Sequence, residues 1–83
     1  MLRFISDPGH GWLEVPMSIV ESLHIKDEIS KYSYLYKGMA YLEEDCDAGK
    51  FMKAFEKLFG VEPKIHEVHQ ERSPIRSYPR FRA

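Results

Sequence analysis

Apolar and polar residues change their period several times along the chain, and each change marks an element. Leu2 to Ile5 reads as a short strand. Ser6-Asp7-Pro8-Gly9-His10-Gly11 reads as a loop, in which Pro8 presets φ at one turn position and Gly9 supplies a positive φ at the next. Trp12 to Val15 resumes the extended pattern, and Pro16, which lacks an N–H for a sheet ladder, suits the first turn of a helix. Ile19, Val20 and Leu23 then share a helical face that ends near His24 to Asp27.

From Ile29 to Leu42 the period falls to two. Tyr32, Tyr34 and Tyr36 share one face of the expected strand, Ser33 and Leu35 the other, and Lys37-Gly38 turns the chain into a returning strand over Met39 to Leu42. The acidic run Glu43 to Asp47 suits a helix N-terminus, with Asp45 or Asp47 as the cap. Ala48, Phe51, Phe55 and Leu58 repeat at helical spacing, and Gly60 stands where a left-handed C-terminal residue is wanted. Lys64 to His69 forms a last strand, and Pro74 and Pro79 exclude regular helix from the tail. The expected architecture is α+β, a small, mainly antiparallel sheet with two helices packed on one face. Residues 1–71 make one domain and residues 72–83 a basic tail rich in Pro, Arg and aromatics.

Eighty-three residues allow one modest core and exclude a two-domain enzyme, while 43% hydrophobic and 13% aromatic residues exclude a disordered chain. No apolar run approaches the ~20 residues that span a bilayer, and the start of the chain lacks a secretory apolar segment, so the expected location is cytoplasmic and away from membranes. The single cysteine, Cys46, supplies neither an internal disulfide nor a cysteine-based zinc site. Stability then rests on packing, with self-association as a further source, and a homodimer is one partner arrangement the sequence allows. Charge is uneven. Residues 1–71 hold eight Lys and Arg against 13 Asp and Glu, whereas residues 72–83 hold four Arg and no acid. A tail of that kind docks on its own acidic body or reaches an external anion.

Four clusters carry candidate chemistry. Glu43, Glu44, Asp45 and Asp47 have the charge to hold a hard cation, but an acidic helix start explains them more simply. His66 and His69 have a helical metal spacing, yet on a strand they point to opposite faces, so neither a metal nor another cofactor is expected. Cys46 lies among acids that disfavour a thiolate, and a partly buried helix start is its expected place. His10 beside Trp12 in a glycine-flanked loop, and the dense tyrosines Tyr32, Tyr34, Tyr36 and Tyr41, suit a partner surface if they are open, or a sheet covered by a helix if they are not.

The segments SDPGHGWLEVP, ISKYSYLYKGMAYLEEDCDAGKF and SPIRSYPRF resemble a family of short uncharacterised proteins encoded by bacteriophages, prophages and plasmids of proteobacteria, HGWLEVP and AYLEEDCDAG being the more specific motifs. The resemblance covers most of the chain and implies an accessory protein of a mobile element, with host takeover or anti-defence as its context. In its order of elements, residues 2–42 also resemble AbrB/MazE-type swapped-hairpin transcription factors. Asp27-Glu28 stands where that family usually has Gly-Asp, and its DNA face is basic where this body is acidic.

No spacing assembles a nucleophile, a base and an anion hole, so the expected function is non-enzymatic. The first expectation is binding, and inhibition, of a host protein through His10, Trp12, Tyr32, Tyr34 and Tyr36. The alternative is a small nucleic-acid-binding regulator whose tail residues Arg72, Arg76, Tyr78, Arg80, Phe81 and Arg82 supply phosphate and stacking contacts.

Overall fold

Leu2–Ser6 (β1) and Gly11–Pro16 (β2) pair antiparallel with Phe4 opposite Leu13 and Ile5 opposite Trp12, so the alternation seen in the sequence gives the sheet two apolar faces. The structure is a computed structural model that describes residues 1–82. Tyr34–Tyr36 (β3) and Met39–Glu43 (β4) form a hairpin, β4 pairs antiparallel with β2, and Ile65–His69 (β5) pairs parallel with β1. The strand order is β3-β4-β2-β1-β5. With the helices Met17–Ser22 (α1) and Ala48–Phe59 (α2), the chain is a small α+β fold whose sheet is antiparallel except at β5. The parallel pairing requires a crossover, and α2 supplies it.

One face carries the helices. Leu13, Val15, Ala40 and Leu42 from the sheet meet Val20 of α1, Ala48 and Phe51 of α2, and Ile25 and Ile29 from the connection after α1. Leu2, Phe4 and Phe55 pack at the edge of this core. The helical stripe expected in α2 holds for Ala48 and Phe51, but Leu58 is 60% exposed and Phe59 is 55% exposed. Its last turn therefore adds little to the core.

The opposite face is covered by the chain's own tail. Ile5, Trp12, Tyr34 and Tyr41 bury Ile75, with Val68, Met39 and Tyr78 around them. Ser73 Oγ accepts the Ile75 N–H, and Pro74–Ser77 make a single 3-10 turn that presents Ile75 to the sheet. Beyond it the tail runs along β3: the Leu35 N–H donates to Pro79 O at 2.9 Å, and the Phe81 N–H to Ser33 O at 2.8 Å. The tail is thus an edge cover for an otherwise open strand. Tyr34 and Tyr41 lie under this tail, not under a helix, while Tyr32 and Tyr36 stay exposed.

Three local expectations change. The β3–β4 hairpin is shorter than the alternation from Ile29 implied, and Tyr32 lies outside it. The reason is Asp47, whose fully buried carboxylate accepts Ser30 Oγ at 2.6 Å, Ser33 Oγ at 2.5 Å and the Ser30 N–H at 3.0 Å, pulling residues 30–33 toward the start of α2. Asp47 precedes α2 but makes no side-chain cap bond to it. Gly9 is not among the residues with positive φ; Asp7 shapes that loop instead, accepting the N–H groups of Gly9 and His10 on Oδ1. Positive φ occurs instead at His24, at Gly60, the left-handed residue that ends α2 as expected, and at the hairpin turn, where Lys37 (φ 49°) and Gly38 (φ 78°) both have the sign a type I′ turn needs.

Candidate functional site

The loop between β1 and β2 and the tail are joined at Asp7. Its side chain is nearly closed to solvent, and Arg76 grips it with a two-pronged contact, Nε to Oδ2 at 2.8 Å and Nη2 to Oδ1 at 2.9 Å. The Arg76 hydrogen bond is the main cause that holds the Asp7 carboxyl well below the usual carboxylate range; burial opposes it, and the amides of His10 and Gly9 add to it. Arg76 also lies over the Trp12 ring, 5.5 Å from its centroid. One guanidinium therefore fixes the glycine-flanked loop, the indole and the tail in a single arrangement.

That arrangement forms one wall of an open cleft of about 360 Å³ lined by His10, Trp12, Tyr32, Tyr34, Glu43, Asp45, Cys46, Arg76 and Arg80. His10 comes from the loop, Trp12 from β2, Tyr34 from β3, Glu43 from the end of β4, and the two arginines from the tail. His10 Nδ1 is 4.0 Å from Glu43 Oε2, while Glu43 Oε1 accepts the N–H groups of Asp45 and Cys46 at 2.7 and 2.9 Å. Glu43 thus shapes the acidic lip. Arg80 stands 4.9 Å above the Tyr34 centroid and donates through Nη1 to Lys31 O at 3.2 Å. A second recess, of about 370 Å³, adjoins the first: Tyr32 and Arg80 line both, and Lys31 and Arg82 complete it.

Residues expected in two separate sets therefore converge. His10, Trp12, Tyr32 and Tyr34 share the cleft with Arg76 and Arg80. Trp12 is only 2% exposed and serves as floor, leaving Tyr32, at 52%, as the cleft's open aromatic. Tyr36 does not line the cleft; it stacks on Tyr78 at 4.2 Å. Phe81 packs at the edge of the helix-side core, and Arg82 is tied by Nε to Ile29 O and by Nη2 to Lys26 O. Arg72 is exposed beside Asp7, Pro8 and Gly9. The docked position of Arg76 and Arg80 was hidden in the sequence because alternation identifies a face without saying what covers it.

Further contacts border the site. Arg3, Glu14, Tyr41 and Tyr34 fall in register across four strands, and Arg3 forks Glu14 with two bonds of 2.8 Å. The Arg3 bond is the main cause that lowers the Glu14 carboxyl, whereas burial, followed by its bond to Glu14, raises the Tyr41 phenol. Cys46 is exposed rather than partly buried, and desolvation at its thiol, with Glu43, Asp47 and Asp45 nearby, raises its pKa. That environment disfavours the thiolate. Among the described residues no group of three or more His, Cys, Asp and Glu is placed to hold a metal ion, and no helix is long and apolar enough to cross a membrane. His69 instead meets Ser6 Oγ through Nδ1 at 3.2 Å.

The cleft brings together an exposed phenol, two oriented guanidiniums and an acidic lip, with Cys46 set against thiolate formation. No protein-family model, curated protein or solved structure matches the chain.

Proposed function

We propose that this chain is a small, non-enzymatic interaction protein that binds a host protein through the cleft, as an accessory factor of a phage or another mobile element. The observation that carries the reading is the convergence of His10, Tyr32, Tyr34, Arg76 and Arg80 on one concave surface from distant parts of the chain. Tyrosine and arginine are enriched among the side chains that anchor protein interfaces, because each offers broad contact and directional hydrogen bonds. The bacteriophage-like segments give the mobile-element context, and all nine cleft residues fall within them.

The nucleic-acid alternative is weaker because Arg76 is spent on Asp7 and the acids Glu43 and Asp45 line the cleft. The test is affinity capture from host lysate with nuclease treatment, comparing the parent with a His10→Ala/Tyr32→Ala variant of unchanged melting temperature. A host protein held by the parent and lost by the variant supports the reading. One held equally by both, or released by nuclease, refutes it.

A further inference from the structure

Docking the tail does not neutralise it. Of its arginines, only Arg76 meets a carboxylate among the described residues; Arg80 and Arg82 donate to the carbonyls of Lys31, Ile29 and Lys26. A carbonyl orients a guanidinium but leaves its full charge uncancelled. Lys31 adds a third cation, its Nζ 5.6 Å from the centroid of the exposed Tyr32 ring. The ion pairs among the described residues are Arg3–Glu14, Lys50–Asp47 and Arg76–Asp7, and neither these nor the His10–Glu43 and His69–Glu71 contacts involve Lys31, Arg80 or Arg82. The recess lined by Lys31, Tyr32, Arg80 and Arg82 thus concentrates three positive charges around one aromatic wall, with no acid in its lining.

We propose that this recess is the anchor for an acidic side chain of the partner, whose neighbouring residues occupy the adjoining cleft. The proposal rests on the protein-binding reading and names the chemistry it requires. Arg80 has four N–H donors left after its bond to Lys31 O, and Lys31 has a flexible ammonium, so a carboxylate entering the recess is met by charge-assisted hydrogen bonds. Tyr32 and Arg80 belong to both recesses, which makes the two one continuous track for an extended peptide. A single acid fits better than a polyanion. Glu43 and Asp45 line the adjoining cleft. A nucleic-acid strand running past the recess meets those acids, and three cations release few counterions.

The test pans short random peptides over the immobilised full chain and measures the enriched sequences in solution by fluorescence anisotropy. Their acids are changed to the matching amides, and the chain is compared with Lys31→Glu and His10→Ala, each first checked for an unchanged melting temperature. The expected result is enrichment of peptides carrying Asp or Glu that bind about tenfold more weakly as amides and about tenfold more weakly to Lys31→Glu. Replacing the peptide acid by Lys restores binding to Lys31→Glu. Enriched peptides without acids that ignore Lys31→Glu but are lost on His10→Ala overturn the acidic anchor and leave the cleft reading standing. Absence of any enrichment overturns both. Displacement of the peptides by oligothymidylate at lower concentration than by an acidic competitor peptide overturns the proposal in favour of nucleic acid.

Discussion

Ser33 Oγ lies 2.5 Å from Asp47 Oδ2 and accepts the Glu43 N–H at 2.9 Å, so one buried hydroxyl joins the segment before β3 to the end of β4 and the start of α2. The junction sets the position of Tyr32 and Lys31, whose neighbour Ser30 is held by the same carboxylate. Asp47→Ala leaves the Ser30 amide and two hydroxyls without their acceptor. Each orphaned buried group costs about 1–3 kcal/mol, so a total loss of about 3 kcal/mol is expected, a large share for a domain this small. Urea denaturation measures it, and a variant within about 0.5 kcal/mol of the parent would show that the junction is not structural.

Acid should weaken the fold in a defined direction. Asp7 is lowered chiefly by Arg76 and Glu14 chiefly by Arg3; at Asp47 burial pushes upward, but the bonds from Ser30, Ser33 and Lys50 prevail. Each folded-state value lies below its unfolded one, so the unfolded chain binds more protons in acid. The stabilisation is complete above the ordinary carboxylate pKa of about 4 and disappears as pH falls through the lowered folded values. Urea midpoints taken downward from pH 6 should fall, and Asp7→Asn should flatten the decline. An equally steep decline in that variant would remove Asp7 from the account.

The two ends of α2 differ in what they cover. Phe51 is fully buried in the helix-side core, so Phe51→Ala should cost about 3–5 kcal/mol, while Leu58→Ala, at a 60% exposed position, should fall within about 0.5 kcal/mol of the parent. Phe55 packs at the rim and should fall between them. Thermal melts of the three variants test the order, and a Leu58→Ala loss equal to that of Phe51→Ala would refute it.

Leu58 also marks how far the sequence could be read. Helical spacing fixes the face of α2 from Ala48 to Phe55, but it carries no information about where the sheet beneath that face ends. The same limit explains the tyrosines: alternation puts Tyr34 and Tyr36 on one side of β3, yet their cover is Ile75 and Tyr78, some forty residues away, brought there by the Arg76–Asp7 contact. The expected strand through Ile29 to Ser33 failed because Asp47 competes for Ser30 and Ser33, a long-range bond with no local signature. What periodicity recovered well were elements held by their immediate neighbours, such as β1, β2 and the Lys37-Gly38 turn.

Gly11 is required for packing and not for its backbone angle. A Cβ there would stand 2.5 Å from Phe4 Cζ and 2.7 Å from Cε2, inside any real contact distance. Gly11→Ala must therefore displace the Phe4 ring, at a cost of about 1–3 kcal/mol. Phe4→Leu in the same chain shortens the opposing side chain and should recover part of the loss, giving a favourable coupling in the double-mutant cycle. Additive losses would place the strain elsewhere.

Removal of residues 72–83 decides what the tail contributes to stability. It takes away Ile75, which is 2% exposed, uncovers Trp12, Tyr34 and Tyr41, and deletes both backbone bonds along β3. Ile75→Ala alone should cost about 2–5 kcal/mol, and the truncation more. Salt should matter little, because the tail's only carboxylate contact among the described residues is Arg76–Asp7 while the rest is apolar burial and carbonyl bonding. The drop in melting temperature on truncation should therefore survive in concentrated sodium chloride, where exposed charges are screened within about 3 Å. A drop that vanishes in salt would make the docking electrostatic, and no drop at all would show that the tail does not hold this face closed in solution.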